Sequence, residues 1–405
     1  MKAAGLGFGL VLATAAMRST GQEFLDRVSD TLTLSAFEDR FRARLSGTID
    51  LEGYGFDAPT PGLLYSEGDF LFSERFSFFV DAQWGGHLYG FLQARVDDGF
   101  NPSDPSIEAR LDEYALRLRP WTDLGWNLQV GKFATVVGNW VPRHLSWDNP
   151  FVSAPLPYEN LTAIRDSEAP ASGDDFVVDL GEEKYEHHPV IWGPAYGSGV
   201  ALAGQIGEFE LALELKNSAL AARPESWSAT SIGFDHPTVS GRLGYRPNPA
   251  WSLGISGSEG AYFRPEARPT LPGGRGIDDY RQWVLGQDLG FAWHHWQLWV
   301  EVFESRFEVP RLGDADVLSY YLEAKYKFTT RFFGAARWNQ QIYGDVTNDD
   351  GGRSPWGNDT WRADVAVGFR FSSHLQWKLE YGVQDRRGAP EGWNQVVSAQ
   401  VTIRY

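Results

Sequence analysis

The sequence predicts an all-β protein in which sixteen antiparallel strands close into a transmembrane β-barrel. Three observations lead to this fold class. Apolar and polar residues alternate with a period of two from about residue 40 to the end of the chain. The connections between the predicted strands alternate along the chain between short and long. After the N-terminus, no uncharged apolar run reaches the roughly 18 residues that a membrane-spanning helix needs.

The composition excludes several classes of protein. The 405 residues include 17 Trp, 16 Tyr and 26 Phe but no Cys. Without Cys there are no disulfides, thiolate zinc sites, iron–sulfur clusters or Cys nucleophiles. The formal net charge is −17, which argues against nucleic acid as a partner, because binding to a phosphate backbone needs a basic surface.

The first residues have the pattern of a secretory signal peptide. Lys2 precedes an uncharged run at 3–17, and Ala13-Thr14-Ala15 offers a cleavage site of small residues. We therefore expect a signal peptide at 1–16, a short helical or disordered periplasmic segment at 17–39, and a barrel domain at 40–405. The barrel can enter an outer membrane because it hides its apolar residues at every second position.

The last strand shows the alternation clearly. In the segment VVSAQVTIRY, Val397, Val401 and Tyr405 lie on one face, whereas Ser398 and Arg404 lie on the other. Segments of nine or more residues with this pattern can cross a bilayer at a tilt. The predicted strands are 40–54, 69–84, 87–99, 107–120, 125–137, 198–207, 208–218, 238–247, 250–259, 279–293, 295–308, 317–329, 331–343, 360–373, 375–387 and 392–405.

The connections divide the predicted barrel into two ends. Gly85-Gly86, Asn248-Pro249 and Ser372-Ser373 are short turns, whereas 138–197 is the longest connection. An even-numbered barrel with both termini on one side has turns at one rim and loops at the other. Trp residues near the strand ends suit interfacial girdles. A barrel of sixteen strands encloses a water-filled lumen rather than a packed core.

Four segments resemble those of bacterial outer-membrane porins, of the general or the phosphate- and carbohydrate-selective type. They are the terminal VTIRY, RARLSGTIDLEGYG in the first strand, RLDEYALRLR in the fourth and NLQVGKF in the fifth. The resemblance implies a cofactor-free outer-membrane channel that is surrounded by lipid and forms a homotrimer, and through which small hydrophilic solutes or ions diffuse passively. It also implies that the barrel-assembly machinery recognises the terminal Tyr405, and that the loop at 138–197 folds into the barrel as a constriction loop.

If the apolar alternates face lipid, the polar alternates face the lumen. This assigns a basic wall to the pore, made of Arg42, Arg44, Arg75, Arg95, Arg117, Arg119, Arg362, Arg370, Lys378 and Arg404. The loop at 138–197 carries acidic residues, among them Asp148, Glu159, Asp166, Asp174 and Asp175. A basic wall that faces an acidic loop sets up a transverse field, which discriminates between solutes by charge. The alternative is that neighbouring carboxylates pair with these Arg side chains and only rigidify the barrel.

No constellation for bond-making chemistry stands out, and we expect no enzyme activity. His187-His188 and His294-His295 are adjacent pairs, and adjacent strand residues point to opposite faces, so neither forms an obvious metal site. The segment 345–351, DVTNDDG, has carboxylates but lacks the spacing of a calcium loop. The G-x-S-x-G motif is absent.

Two other classes remain as alternatives. An exported soluble all-β carbohydrate-binding protein or glycosidase would use the many Trp as sugar platforms, and its apolar face would form a core. An outer-membrane hydrolase would need fewer strands and an outward catalytic Ser or His. The sequence names no solute. Inward-facing aromatic residues would permit sugars, namely Phe79, Tyr89, Phe91, Trp299 and Phe303, and the preference for anions or cations is undecided.

Overall fold

A computed structural model describes residues 22–28, 30–57, 62–64, 66, 68–99, 101, 106–120, 125–176, 184–388 and 393–405. Sixteen long strands dominate these residues. They are β1 (Phe41–Phe56), β2 (Phe70–Trp84), β3 (Leu88–Asp97), β4 (Glu108–Leu118), β5 (Asn127–Phe133), β6 (Gly197–Ile206), β7 (Phe209–Lys216), β8 (Thr238–Asn248), β9 (Trp251–Ala261), β10 (Arg281–Trp293), β11 (Trp296–Val309), β12 (Gly313–Lys327), β13 (Phe332–Tyr343), β14 (Thr360–Arg370), β15 (Leu375–Arg386) and β16 (Asn394–Arg404).

The strands close into one antiparallel barrel. Each strand pairs with its neighbours in the chain, and β16 pairs with β1 so that Val401 lies opposite Leu51 and Arg404 opposite Thr48. This confirms the predicted fold class and the count of sixteen. β12 begins at Gly313, earlier than the predicted 317, because Gly313–Asp316 continues the ladder with the last residues of β11.

The outer surface of the barrel is apolar along most of its strands. On β1, Leu51 is 38% exposed on the outside, whereas Asp50 beside it is 1% exposed on the inside. Trp84, Trp251 and Trp293 are exposed at the turn end, where a girdle is expected. Apolar rows on the outside of a closed barrel suit lipid, and they contradict the soluble carbohydrate-binding alternative, which would bury them.

The upper halves of β11 and β12 reverse this pattern. Phe303 and Phe307 of β11 point inward and are fully buried, whereas Glu304 and Arg306 between them are exposed on the outer face. The inward Phe side chains belong to a hydrophobic cluster that also contains residues of the loop between β5 and β6. The alternation is inverted here because the interior at this place is protein rather than water.

Short elements surround the barrel. Residues 22–28 are helical, within the segment for which a helix or disorder is predicted. The strand Thr33–Ala36, which is not among the predicted strands, pairs with the first residues of β1. Two further strands, Asp345–Thr347 and Arg353–Pro355, form a hairpin at the loop end. The predicted signal peptide at 1–16 lies outside the described residues. Within the described part of the chain, no helix has the length and apolarity to cross a membrane.

Candidate pore and its inserted loop

The connection between β5 and β6, residues 134–196, folds into the barrel and is called the inserted loop below; its residues 177–183 are not described. It contains the short helices Val141–Arg143, Leu156–Glu159, Gly173–Phe176 and Lys184–Glu186. Trp140, Ile164 and Val190 of the loop are buried in one cluster with Phe303 and Phe307 of β11. Burial of each large apolar side chain contributes about 1.5–3 kcal/mol, so this packing holds the loop against the wall of β10–β13.

A buried carboxylate on β11 fixes the start of the loop. Glu301 is fully buried, and its carboxylate accepts hydrogen bonds from the backbone N–H groups of Asn139 and Trp140, the latter at 3.1 Å. It also accepts one from the Tyr158 hydroxyl at 2.8 Å. Three donors on one ionisable group satisfy most of its acceptor sites, which is the condition under which a buried charge is tolerated.

A buried ammonium group on β15 fixes the next part of the loop. Lys378 Nζ donates to the carbonyl oxygens of Ser146, Asn149 and Phe151, at 2.9, 3.1 and 2.8 Å. Below it, the guanidinium of Arg404 lies 3.9 Å from the ring centroid of Trp147. The basic residues on this side therefore hold the backbone and one ring of the loop.

Ion pairs on β13 to β15 complete the attachment. Arg337 pairs with Asp364 at 2.9 Å and is buried. Arg362 pairs with Glu159 of the loop. The carboxylate of Glu380 accepts from the backbone N–H of Ser153 at 3.0 Å. The loop thus occupies the half of the lumen lined by β10 to β16.

The other half of the lumen contains two cavities in line. The upper cavity, of about 350 Å³, lies towards the loop end and is lined by residues of β1–β4, the inserted loop and β14–β16. The lower cavity, of about 690 Å³, lies towards the turn end, where Phe79, Tyr89 and Phe91 line it. His144 and Leu145 of the inserted loop line both cavities. A solute path would therefore run between these two residues and the wall of β1–β5.

Three Arg side chains of this wall that line the upper cavity are paired with carboxylates. Arg75 lies 3.3 Å from Asp50 and also contacts Glu52. Arg110 donates to Asp97 at 2.9 Å, and Arg95 lies 2.9 Å from Asp112. Thr402 donates to Asp50 at 2.6 Å and Gln400 to Glu52 at 2.6 Å, so the carboxylates between β1 and β16 are held as well.

The residues predicted for the basic wall fall into three groups. Arg75, Arg95 and Arg117 line the two cavities. Arg42, Arg44 and Arg119 are exposed near the turn end and line neither cavity. Arg362, Arg370, Lys378 and Arg404 contact the inserted loop, and of these Arg362 also lines the upper cavity.

The acidic residues predicted for the loop are also dispersed. Glu159 lines the upper cavity, whereas Asp148, Asp166, Asp174 and Asp175 line neither cavity. Asp166 is fully buried and pairs with Arg223 of the next loop. Burial by itself would raise the pKa of Asp166, but His188 and Arg223 hold that pKa below its usual value. These five carboxylates therefore do not lie together on one surface that faces the cavities.

Several residues that organise the site are missing from the sequence-based set. Glu301 stands between Trp299 and Phe303 on the inward face of β11, so period-two alternation was sufficient to place it in the lumen. Arg110 and Asp112 were harder to assign, because a register irregularity between β3 and β4 interrupts the alternation there. Arg337 lies between apolar neighbours in the segment ARW on β13, so the alternation predicts an inward side chain for it, as it does for Arg362.

The His pairs and the acidic segment at 345–351 have structural partners. His187 Nδ1 lies 3.1 Å from the Thr162 carbonyl oxygen, and His188 Nδ1 lies 2.6 Å from that of Ala221. Asp349 accepts from the Gly173 backbone N–H at 2.9 Å. In the part of the chain that the structure describes, no three His, Asp or Glu side chains are placed to hold a metal ion.

The fold is shared with solved outer-membrane barrels. An anion-selective porin from Comamonas acidovorans superposes with a TM-score of 0.57 at 10% identity, over 90% of this chain and 100% of that one. OmpT, an outer-membrane protein of Vibrio cholerae, gives 0.56 at 10% identity over 92% and 99%. The outer-membrane channel DcaP of Acinetobacter baumannii gives 0.53 at 10% identity over 92% and 100%.

Comparison of the sequence with known families and curated proteins finds no match. The likeness therefore concerns the fold: the chain forms a sixteen-stranded barrel like those of the anion-selective porin and the outer-membrane channel with which it superposes.

Proposed function

We propose that this chain is an outer-membrane channel through which small hydrophilic solutes or ions diffuse passively. One observation carries the proposal: the inserted loop fills part of the lumen and leaves two cavities in line beside it, both with charged side chains in their linings. The solute gradient drives such a passage, so neither a cofactor nor a catalytic residue takes part in it. Charge selectivity is assigned to the Arg-bearing wall of β1–β4 and to the inserted loop.

The inserted loop defines the constriction in this proposal. Its attachment through Glu301, Lys378 and Arg362 fixes the position of His144 and Leu145, which separate the two cavities. A rigidly held loop gives a pore of constant width. Burial lowers the pKa of His144 to about 4, so this side chain adds no charge to the constriction at neutral pH.

The proposal extends to assembly. The C-terminal Tyr405 pairs with Gly47 of β1 through two backbone hydrogen bonds of 3.1 and 3.2 Å, which places the terminal signal at the closing seam of the barrel. We assign recognition of this end to the barrel-assembly machinery. A homotrimer is the proposed oligomer, in line with the trimer form described for OmpT of Vibrio cholerae.

The test uses the absence of Cys. Purified Leu145→Cys protein carries a single thiol, and a bulky thiol reagent at this position fills the junction of the two cavities. In planar bilayers we expect ion conductance from the unmodified protein and a loss of most of it after labelling. The matched control is Leu243→Cys, whose side chain is exposed on the outer face of β8. Absence of conductance, or equal loss in both variants, contradicts the proposal.

A further inference from the structure

We infer that the upper cavity makes this channel selective for small cations over anions. The inference rests on the proposed channel function and goes beyond it by giving the sign of the charge that permeates. It also runs against the expectation raised by the Arg residues of the wall.

The guanidinium groups in the upper cavity are already neutralised. Arg75 is held between the carboxylates of Asp50 and Glu52, so this group of three carries one net negative charge. Arg362 is held between Glu159 and Asp364 in the same way. An anion that entered would have to displace a bonded carboxylate from each Arg, and this competition removes most of the attraction.

Carboxylates outnumber cationic groups in the lining. Seven carboxylates and four guanidinium groups line the cavity, an excess of three negative charges. Among the described residues, six charged side chains contact the lining from behind: the carboxylates of Asp112 and Glu301, and the cationic groups of Lys132, Lys184, Arg337 and Lys378. Including them gives nine carboxylates and eight cationic groups, so an excess of one negative charge remains. Asp98 contributes to it, and its carboxylate accepts a hydrogen bond from the Ser73 hydroxyl at 3.1 Å.

Aromatic rings line the same cavity. Tyr54, Trp140 and Phe151 are among the lining residues, and each is at most 6% exposed. Aromatic faces attract guanidinium groups, and the guanidinium of Arg337 already lies 4.2 Å from the ring centroid of Phe151. The preference for cations therefore rests on the surplus of carboxylates and not on the ring faces.

The upper cavity decides the selectivity because the charged groups in its lining are buried. Asp50, Glu52 and Glu380 are each at most 6% exposed. The exposed Arg42, at the turn end, lies in open solvent, where salt screens charge over about 8–10 Å. Around the buried carboxylates the protein excludes water, so their field is screened less.

Reversal potentials in a salt gradient test the sign. For the natural chain we expect a reversal potential that reports a preference for cations. The double change Asp50→Asn with Glu52→Gln should move the reversal potential towards or past zero, because Arg75 then carries an unpaired charge. Asp98→Asn, which breaks no ion pair, should produce a smaller shift in the same direction. Glu304→Gln makes an equal charge change on the outer face of β11 and should leave the potential unchanged. Anion preference of the natural chain, or no shift in either lumen variant, overturns the inference.

A second measurement separates this inference from the proposed function. In the Leu145→Cys protein, a trimethylammonium-ethyl and a sulfonato-ethyl methanethiosulfonate, which are of similar size, are added from the loop side. Each rate is divided by the rate of the same reagent with a free thiol in solution. After this correction the cationic reagent should react with the Cys at least about tenfold faster than the anionic reagent. Equal or reversed rates in a conducting protein overturn the cation preference alone. No reaction and no conductance overturn the channel itself.

Discussion

The ammonium group of Lys378 on β15 lies 2.8 Å from the carbonyl oxygen of Phe151, a residue 227 positions away in the inserted loop. The same ammonium donates to the carbonyl oxygens of Ser146 and Asn149, so one side chain anchors the six backbone residues from Ser146 to Phe151. An inward Lys in a barrel of this size would be expected to face water, yet here it is a structural element of the lumen.

Replacing Lys378 should loosen the loop without unfolding the barrel. Lys378→Met keeps the length of the side chain but leaves three carbonyls without their donor, and hydrogen bonds to charged groups contribute about 1.5–3 kcal/mol each. We expect frequent current fluctuations in single-channel recordings and faster proteolysis of the loop. Lys327→Met, at the exposed end of β12, is the control, and its single-channel currents should match those of the natural chain.

The attachment at Glu301 allows a graded test. Tyr158→Phe removes one of the three hydrogen bonds on the carboxylate, and the expected loss in loop stability is about 0.5–1.5 kcal/mol. Glu301→Gln removes the charge and turns an NH₂ group towards donors, so its effect should be larger. Hydrogen exchange of the backbone amides of Asn139 and Trp140 is the measurement. Equal exchange rates in both variants would show that Glu301 does not fix this part of the loop.

The inverted segment of β11 should be sensitive on its inward face. Phe307→Ala creates a cavity at a fully buried position, with an expected cost of about 3–5 kcal/mol in the free energy of unfolding. Leu322→Ala on β12, which is 47% exposed on the outer face, removes a comparable apolar group from the lipid-facing surface and should cost clearly less. Urea unfolding in lipid vesicles compares the two. A similar cost for both would argue against a packed interior beside β11.

The contact between His187 and Thr162 should be sensitive to acid. Burial lowers the pKa of His187 to about 4, below the usual value of about 6.5, so the folded loop favours the neutral ring. The corresponding stability is fully present above about pH 6.5 and is lost as the pH falls towards about 4. Amide hydrogen exchange at 184–193, corrected for intrinsic rates, should therefore speed up between pH 7 and pH 5. His187→Gln should remove this dependence; an unchanged pH profile in that variant would assign it to another group.

The sequence by itself determined the barrel. Period-two alternation decides which face of each strand meets lipid, and the alternation of short and long connections decides that neighbouring strands pair in order. These are local properties, so β14, β15 and β16 were predicted to within a few residues. The girdle of exposed Trp at the turn end follows from the same pattern.

Only the tertiary structure decided what the inward side chains contact. Arg75 and Lys378 carry the same charge on the same kind of inward position, yet one pairs with carboxylates beside an open cavity and the other is buried under the inserted loop. Phe303 faces inward as the alternation predicts, yet it is buried under that loop and does not line an open lumen. Such outcomes depend on which residues more than 100 positions apart in the chain come into contact when the barrel closes. The alternation along one strand carries no information about contacts with such distant parts of the chain.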